Sequence, residues 1–223
     1  MSEANADLFP GIDPAIRSEL SRVAGRHSMR RGDVLFHEGD VGDRLYVVLT
    51  GKVKISRVAP DGRENVVAVM GPGEIFGELS LFDPGPRTAT AAAVTDGELA
   101  VLAHDALRPW LTNNSEVAVE LLRLLARRLR RTTDTLADLV FSDVPGRVAK
   151  SLLALADRFG VDGDEGTVRV EHGLTQSELA QLVGASRETV NKALADFAER
   201  GWLRVDGKSV VLLDRDRLAR RAV

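Results

Sequence analysis

The stretch "LTQSELAQLVGASRETVNKALADFAERGW", residues 174–202, decides how the carboxy-terminal part of the chain folds. Thr175 and Glu178 stand three apart, the spacing at which a side-chain oxygen and a carboxylate cap one another's backbone N–H groups at a helix start. A short helix is predicted from there, broken at Gly184, and Ser186 then caps a second helix that stops before Gly201. Two helices joined by a tight glycine turn form a helix-turn-helix. On the second helix Val190, Leu194 and Phe197 point one way, while Arg187, Glu188 and Asn191 lie on the other side with Lys192 beside them. These polar residues occupy the first two turns, the part of a recognition helix that meets base edges in the major groove. Thr175, Gln176 and Ser186, at the starts of the two helices, complete the candidate DNA-binding set. Glu188 and Lys192 are also spaced for an ordinary surface ion pair. The surrounding cap–helix–glycine–cap–helix pattern favours base contact. After Gly201, "WLRVDGKSVVLL" alternates about an Asp206-Gly207 turn, which predicts a β-hairpin wing.

Moving toward the amino terminus, "FSDVPGRVAK" (141–150) ends one helix and starts another, with Asp143 as cap and Pro145 in the first turn. The domain boundary is placed here, giving domains 1–143 and 144–223. Residues 115–141 contain neither glycine nor proline, and Asn113 with Glu116 resembles a capping box, so a long helix is expected over about 114–141. Leu122, Leu125, Leu129, Thr132, Leu136 and Leu139 follow alternating three- and four-residue steps, a coiled-coil seam with one polar member. One account is an amphipathic helix packed on its own domain. The favoured account gives it two faces, one on a sheet and one on a second copy of the chain, because its apolar residues exceed one narrow stripe. "RRLRR" (127–131) is read as a solvated flank of the seam.

From Gly32 to Leu102 the chain is rich in β-branched residues and punctuated by the turn signals "EGDVGD", "LTGK", "PDGR" and "MGPG". Short strands at near-regular spacing predict an antiparallel sandwich or barrel. "DPAIRSEL" before it carries an Asp13 cap and Pro14, so a short leading helix is expected. Within the β-region, "FGELSLFDPGPRTATA" (76–91) combines groups suited to an anion. Gly77 lets backbone approach a ligand, and Glu78, Leu79, Ser80 and Leu81 begin a short helix whose N–H groups face it. Arg87 offers a planar fork of donors and Thr88 a hydroxyl. The competing account of Arg87 is an ion pair with Glu78 or Asp83.

Bulk composition excludes more than it assigns. The 44% hydrophobic and 28% charged content suits a folded globular chain, and there is no cysteine for disulfides, thiolate metal sites or iron–sulfur clusters. A net charge of -3 gives no general affinity for nucleic acid, so a DNA reading rests on the local motif. No run reaches the roughly 18 apolar residues of a membrane span, and the amino terminus lacks a signal-peptide pattern. The cytoplasm is the expected location. His104-Asp105 has no nucleophile in an evident constellation, and the four histidines are scattered without metal-ligand spacing. No catalytic residue and no metal site are expected.

Taken together, "GASRETVNKAL", "FGELSLFDPGPRTATA" and the seam helix give a chain that resembles the CRP/FNR family of bacterial transcription regulators. "APDGREN", "DPGPRT" and "SRETVNKALADFA" are similar to the actinobacterial branch of its cyclic AMP receptor proteins. The resemblance implies an α+β fold: an amino-terminal antiparallel β-roll that binds cyclic nucleotide, a long dimerisation helix, and a carboxy-terminal winged helix-turn-helix. It implies cyclic AMP (cAMP) as allosteric effector with no cofactor, held by Gly77, Glu78, Leu79, Arg87 and Thr88, with Glu78 on a ribose hydroxyl. Thr132, and Thr133 from the neighbouring subunit, would meet the adenine. A merely register-fixing role for Thr132 stays open. A homodimer on a palindromic double-stranded operator is implied, with RNA polymerase as a further partner. The alternative keeps the fold with DNA binding independent of cAMP or tuned to another effector. Lys192 departs from the arginine of the family pattern and cannot fork onto a guanine; a half-site related to TGTGA remains the expectation.

Overall fold

The computed structural model describes residues 24–222. The leading helix expected over 13–20 lies outside the described residues. One compact unit runs to Val58 and resumes over Ala68–Arg131; the other comprises Ala59–Val67 and Thr132 onward.

The first unit is an antiparallel β-roll. Its strands are β1 (Gly25–Met29), β2 (Val34–Phe36), β3 (Arg44–Thr50), β4 (Val53–Val58), β5 (Glu64–Met70), β6 (Ile75–Phe76), β7 (Thr90–Ala93) and β8 (Gly97–Ala103). They form two four-stranded sheets, ordered β1-β8-β3-β6 and β2-β7-β4-β5. β3, "RLYVVLT", shows why the sheets stack. With side chains alternating across a strand, Leu45, Val47 and Leu49 enter one buried cluster while Tyr46 and Val48 enter another with Phe76, Leu99, Ala91 and Phe36. The first cluster is closed by Leu107 of α2 (His104–Asn113) and by Val117 and Leu121 of α3 (Ser115–Phe141). α1 (Leu79–Phe82) is the short helix expected within the cassette.

Two details differ from the expectation. The helix over His104–Asn113 was not anticipated, since Pro109 lies inside it. Consequently Asn113 does not cap the long helix: it is the last residue of α2, and Asn114 alone separates the helices, its carbonyl accepting from the Val117 N–H at 3.1 Å. In α3, Val117, Glu120 and Leu121 are buried, whereas the seam residues Leu122, Leu129 and Leu136 are 62%, 68% and 59% exposed. The helix is thus covered on one stripe and bare on the other.

The second unit contains α4 (Val144–Phe159), β9 (Gly160–Asp162), β10 (Val168–Val170), α5 (Gln176–Val183), α6 (Arg187–Glu199), β11 (Leu203–Asp206), β12 (Ser209–Leu212) and α7 (Arg215–Arg221). The strands make a sheet ordered β11-β12-β10-β9, whose β11–β12 hairpin turns at Asp206-Gly207 as expected. Val148, Leu152, Leu179, Val190, Leu194, Phe197, Val210 and Leu218 are buried. Asp143 caps α4 by accepting from the Gly146 N–H at 2.9 Å, and Arg221 Nη2 donates to the same carboxylate at 2.5 Å. No described helix is long and apolar enough to cross a membrane.

The Arg221 side chain, followed by the Gly146 N–H, holds the Asp143 carboxyl below the usual range. A depressed carboxylate contributes stability above its unfolded pKa of about 3.9 and loses it as pH falls through the lower folded value. Asp143→Ala should cost about 1 kcal/mol at pH 7. In denaturant titrations the difference from the native chain should shrink as pH drops below about 4.

Candidate functional site

The chain leaves β6 at Phe76 and enters Gly77 with φ of +78°, a conformation that side chains resist. A Cβ there would lie 2.7 Å from Nη1 of Arg87 and 3.1 Å from the Arg44 carbonyl. The glycine therefore lets backbone and guanidinium come together. Glu78 follows, then α1, and the loop through Pro84 and Pro86 brings Arg87 back. Its backbone is fixed on both sides: the Gly39 N–H donates to the Arg87 carbonyl at 2.8 Å, and the Arg87 N–H to the Asp40 carbonyl at 2.7 Å.

The Arg87 side chain is buried. Nη1 donates to the Gly77 carbonyl at 2.9 Å and to Ser80 Oγ at 3.3 Å, and Nη2 donates to the Arg44 carbonyl at 2.8 Å. The guanidinium carbon stands 4.3 Å from the centroid of the Phe36 ring. Burial lowers the Arg87 pKa; the charges of Tyr46, Asp43, Asp40 and Glu78 act in the opposite sense. The ion pair with Glu78 or Asp83 considered from the sequence is not formed: among the described residues the guanidinium donates to two carbonyls and a hydroxyl. Glu78, fully buried, instead pairs through Oε1 with Arg128 of α3, whose Nη2 also donates to the Ile75 carbonyl at 2.7 Å.

Two buried polar atoms of the cassette have no hydrogen-bond partner among the described residues, Arg87 Nε and Glu78 Oε2. A buried polar group without a partner costs about 1–3 kcal/mol. One is a cationic donor and the other a carboxylate acceptor, groups that an anionic oxygen and a hydroxyl would satisfy. Leu79 and Thr88 sit exposed on the same cassette. His104, at the start of α2, is half-buried beside the cassette. Burial, and after it the charge of Arg87, lowers the His104 pKa.

Thr132 and Thr133 are exposed on α3, one turn beyond Arg128 and in the second unit. Arg128 is the functional residue missing from the sequence reading, which assigned "RRLRR" to solvent. Its signal was present: Val117, Leu121, Leu124 and Arg128 repeat at four- and three-residue steps, so Arg128 continues the covered stripe.

In the second unit the helix-turn-helix forms as read. Glu178 N donates to Thr175 Oγ1 at 3.2 Å and Thr175 N to Glu178 Oε2 at 2.8 Å, which completes the capping box. Gly184 takes φ of +71°, and Ser186 Oγ accepts from the Thr189 N–H at 3.1 Å. Arg187, Glu188 and Lys192 are exposed on one side of α6, and Glu188 and Lys192 form no ion pair with each other among the described residues. Asn191 is half-buried, its Oδ1 enclosed without a partner among the described residues. With Gln176, Leu194, Ala195 and Arg204 it lines a groove of about 640 Å³ between α6 and the wing. Among the described residues no group of three or more metal-ligating side chains comes together.

Residues 26–114 match the cyclic nucleotide-binding domain, and residues 146–221 match the Crp-like helix-turn-helix domain. Over 219 residues the chain is 57% identical to the CRP-like cAMP-activated global transcriptional regulator of Mycobacterium tuberculosis, covering 98% of this chain and 97% of the relative. It is 38% identical over 198 residues to the cyclic AMP receptor protein of Thermus thermophilus, covering 89% and 88%. Among solved structures, FixK2 from Bradyrhizobium japonicum superposes with a TM-score of 0.81 at 27% identity, covering 90% of this chain and 98% of that one. The c-di-GMP-responsive global regulator CLP of Xanthomonas campestris gives 0.75 at 30% identity, covering 90% and 99%.

The geometry at Gly77 yields a direct test. Gly77→Ala places a side chain in a left-handed conformation, costing about 1–2 kcal/mol, and drives its Cβ against Arg87 Nη1. Thermal unfolding should show a lower midpoint than the native chain.

Proposed function

The chain belongs to the CRP/FNR family of transcription regulators, and on that premise we propose that it is a cAMP-responsive, sequence-specific DNA-binding regulator acting as a homodimer on palindromic operators. The paired orphans, Arg87 Nε and Glu78 Oε2, carry this reading. A cyclic ribose phosphate supplies a phosphodiester oxygen to the first and a 2′-hydroxyl to the second, satisfying both with one small ligand. Gly77, Glu78, Leu79, Arg87 and Thr88 form the sugar-phosphate half of the site. Thr132, with Thr133 of the partner subunit, is assigned to the adenine. The relatives described as cAMP-activated support this effector.

The exposed seam supports the dimer. Leu122, Leu129, Leu136 and Leu139 stand uncovered along one helix, and apolar area of this kind is buried against a second copy with a gain of about 25 cal/mol per Å². Two-fold symmetry then places two recognition helices in successive major grooves, with half-sites about 34 Å apart. Thr175, Gln176 and Ser186 position the helices on phosphates, and Arg187, Glu188, Asn191 and Lys192 read bases. Residues 1–143 serve as the nucleotide-binding and dimerisation domain, and 144–223 as the DNA-binding domain. Members of this family regulate transcription and are not enzymes. The remaining assignments are a cytoplasmic location and RNA polymerase as the partner reached from the operator.

A second reading has an observation behind it: a structural neighbour at 30% identity responds to c-di-GMP, so the fold accommodates effectors other than cAMP. Titrating a labelled palindromic operator at fixed salt, with and without cAMP, separates the two. With coupling typical of allosteric proteins, cAMP should raise operator affinity about 5- to 150-fold, and Arg87→Ala should abolish that response. Equal operator affinity in the presence and absence of cAMP sinks the cAMP-responsive reading.

A further inference from the structure

We infer that Phe36 is a positioning residue for nucleotide recognition: its ring lies against the Arg87 guanidinium and holds it in place, with the Nε–H left for the phosphate. This rests on the nucleotide reading above.

The guanidinium carbon lies 4.3 Å from the Phe36 centroid and 5.8 Å from that of Tyr46. The Phe36 ring is itself held. The Tyr46 and Phe76 rings stack at 5.1 Å with 9° between planes, and Phe36 meets them at 5.6 and 6.1 Å. A ring face attracts a guanidinium across its plane, whereas hydrogen bonds leave the guanidinium along its edges. The two do not compete. The Phe36 ring packs against the guanidinium, the carbonyls of Gly77 and Arg44 with Ser80 Oγ accept from its Nη groups, and Nε–H remains.

The choice of partner matters. A carboxylate on Arg87 would stabilise a buried cation, but it would compete with the incoming phosphate and would have to be displaced. Asp40, Asp43 and Glu78 are near enough to perturb Arg87 electrostatically. With the ring removed, the guanidinium keeps only its hydrogen bonds to Gly77, Arg44 and Ser80, and any shift toward one of these carboxylates must be reversed when nucleotide binds. The worth of the ring contact therefore sets the upper limit of the lost affinity. For a desolvated guanidinium on an aromatic face this corresponds to about 3- to 30-fold.

The test uses the full chain and cAMP as the probe, with calorimetric affinities for the native protein, Phe36→Leu, Phe36→Met and Phe36→Tyr, and melting midpoints of the unliganded forms. The expected result is an affinity about 3- to 30-fold weaker for Phe36→Leu and Phe36→Met, native-like affinity for Phe36→Tyr, and midpoints that do not track affinity. Native affinity in the leucine and methionine variants overturns the inference. So does equal loss in all three variants, which would make the ring ordinary packing. Absence of cAMP binding by the native protein instead removes the functional reading beneath it.

Discussion

A buried arginine with no carboxylate bonded to it among the described residues organises the amino-terminal unit. Taking a guanidinium out of water is expensive, and proteins usually offset the cost with an opposite charge. Here Arg87 is met by backbone carbonyls of Gly77 and Arg44, by Ser80 Oγ and by the Phe36 ring. Each contact demands something of the fold. The Gly77 carbonyl is available because that residue takes a positive φ and has no side chain in the way. The Arg44 carbonyl stands at the first residue of β3, the strand buried on both faces, and so is rigidly placed. The loop carrying Gly39 and Asp40 is tied to both backbone groups of Arg87. Among the described residues the positive charge is thereby held without a bonded carboxylate, as the proposed phosphate contact requires.

The long helix meets two different requirements in one sequence. Val117, Leu121 and Leu124 belong to the stripe that closes the β-roll, and Arg128 continues that stripe past the apolar core to the buried Glu78. The seam leucines Leu122, Leu129, Leu136 and Leu139 occupy another stripe and remain exposed. An arginine suits the end of a covered stripe. Its long apolar stem lies along the packed surface, and its fork serves a carboxylate and a carbonyl at once. A leucine at 128 would extend the core but leave Glu78 buried with neither oxygen paired.

The carboxy-terminal architecture was legible because local chemistry specifies it. Thr175 with Glu178, Gly184, Ser186 and the Asp206-Gly207 turn are each decided within a few residues, and each took the expected geometry. The β-roll was legible from turn signals and alternation, as was the cassette from its residue types. The contacts across long sequence distances were not. Arg128 and Glu78 are fifty residues apart, and Phe36 and Arg87 belong to strands and loops whose pairing no local pattern reveals. The helix over His104–Asn113 was hidden by Pro109, whose usual effect is to end a helix. Doublets such as Arg127-Arg128 read alike by composition. Only the helical phase separates the exposed member from the one that turns inward.

The junction after α3 bears on how a nucleotide signal reaches DNA. Pro145 and the Asp143 cap start a new helix there, which from sequence suggests a flexible joint. Within the second unit, however, the junction is bridged repeatedly. Arg147 donates to the Ser142 carbonyl at 2.8 Å and to the Val183 and Gly184 carbonyls at 3.2 and 3.3 Å. Lys150 pairs with Asp138 at 2.7 Å, and Leu139 lies so close to Gly184 that a Cβ on that glycine would come within 3.0 Å of it. The last turns of α3 are therefore fastened to the very turn that precedes the Ser186 cap. Arg147 thereby ties the Ser142 carbonyl, just past the end of α3, to the carbonyls of Val183 and Gly184, the residues that lead into the recognition helix.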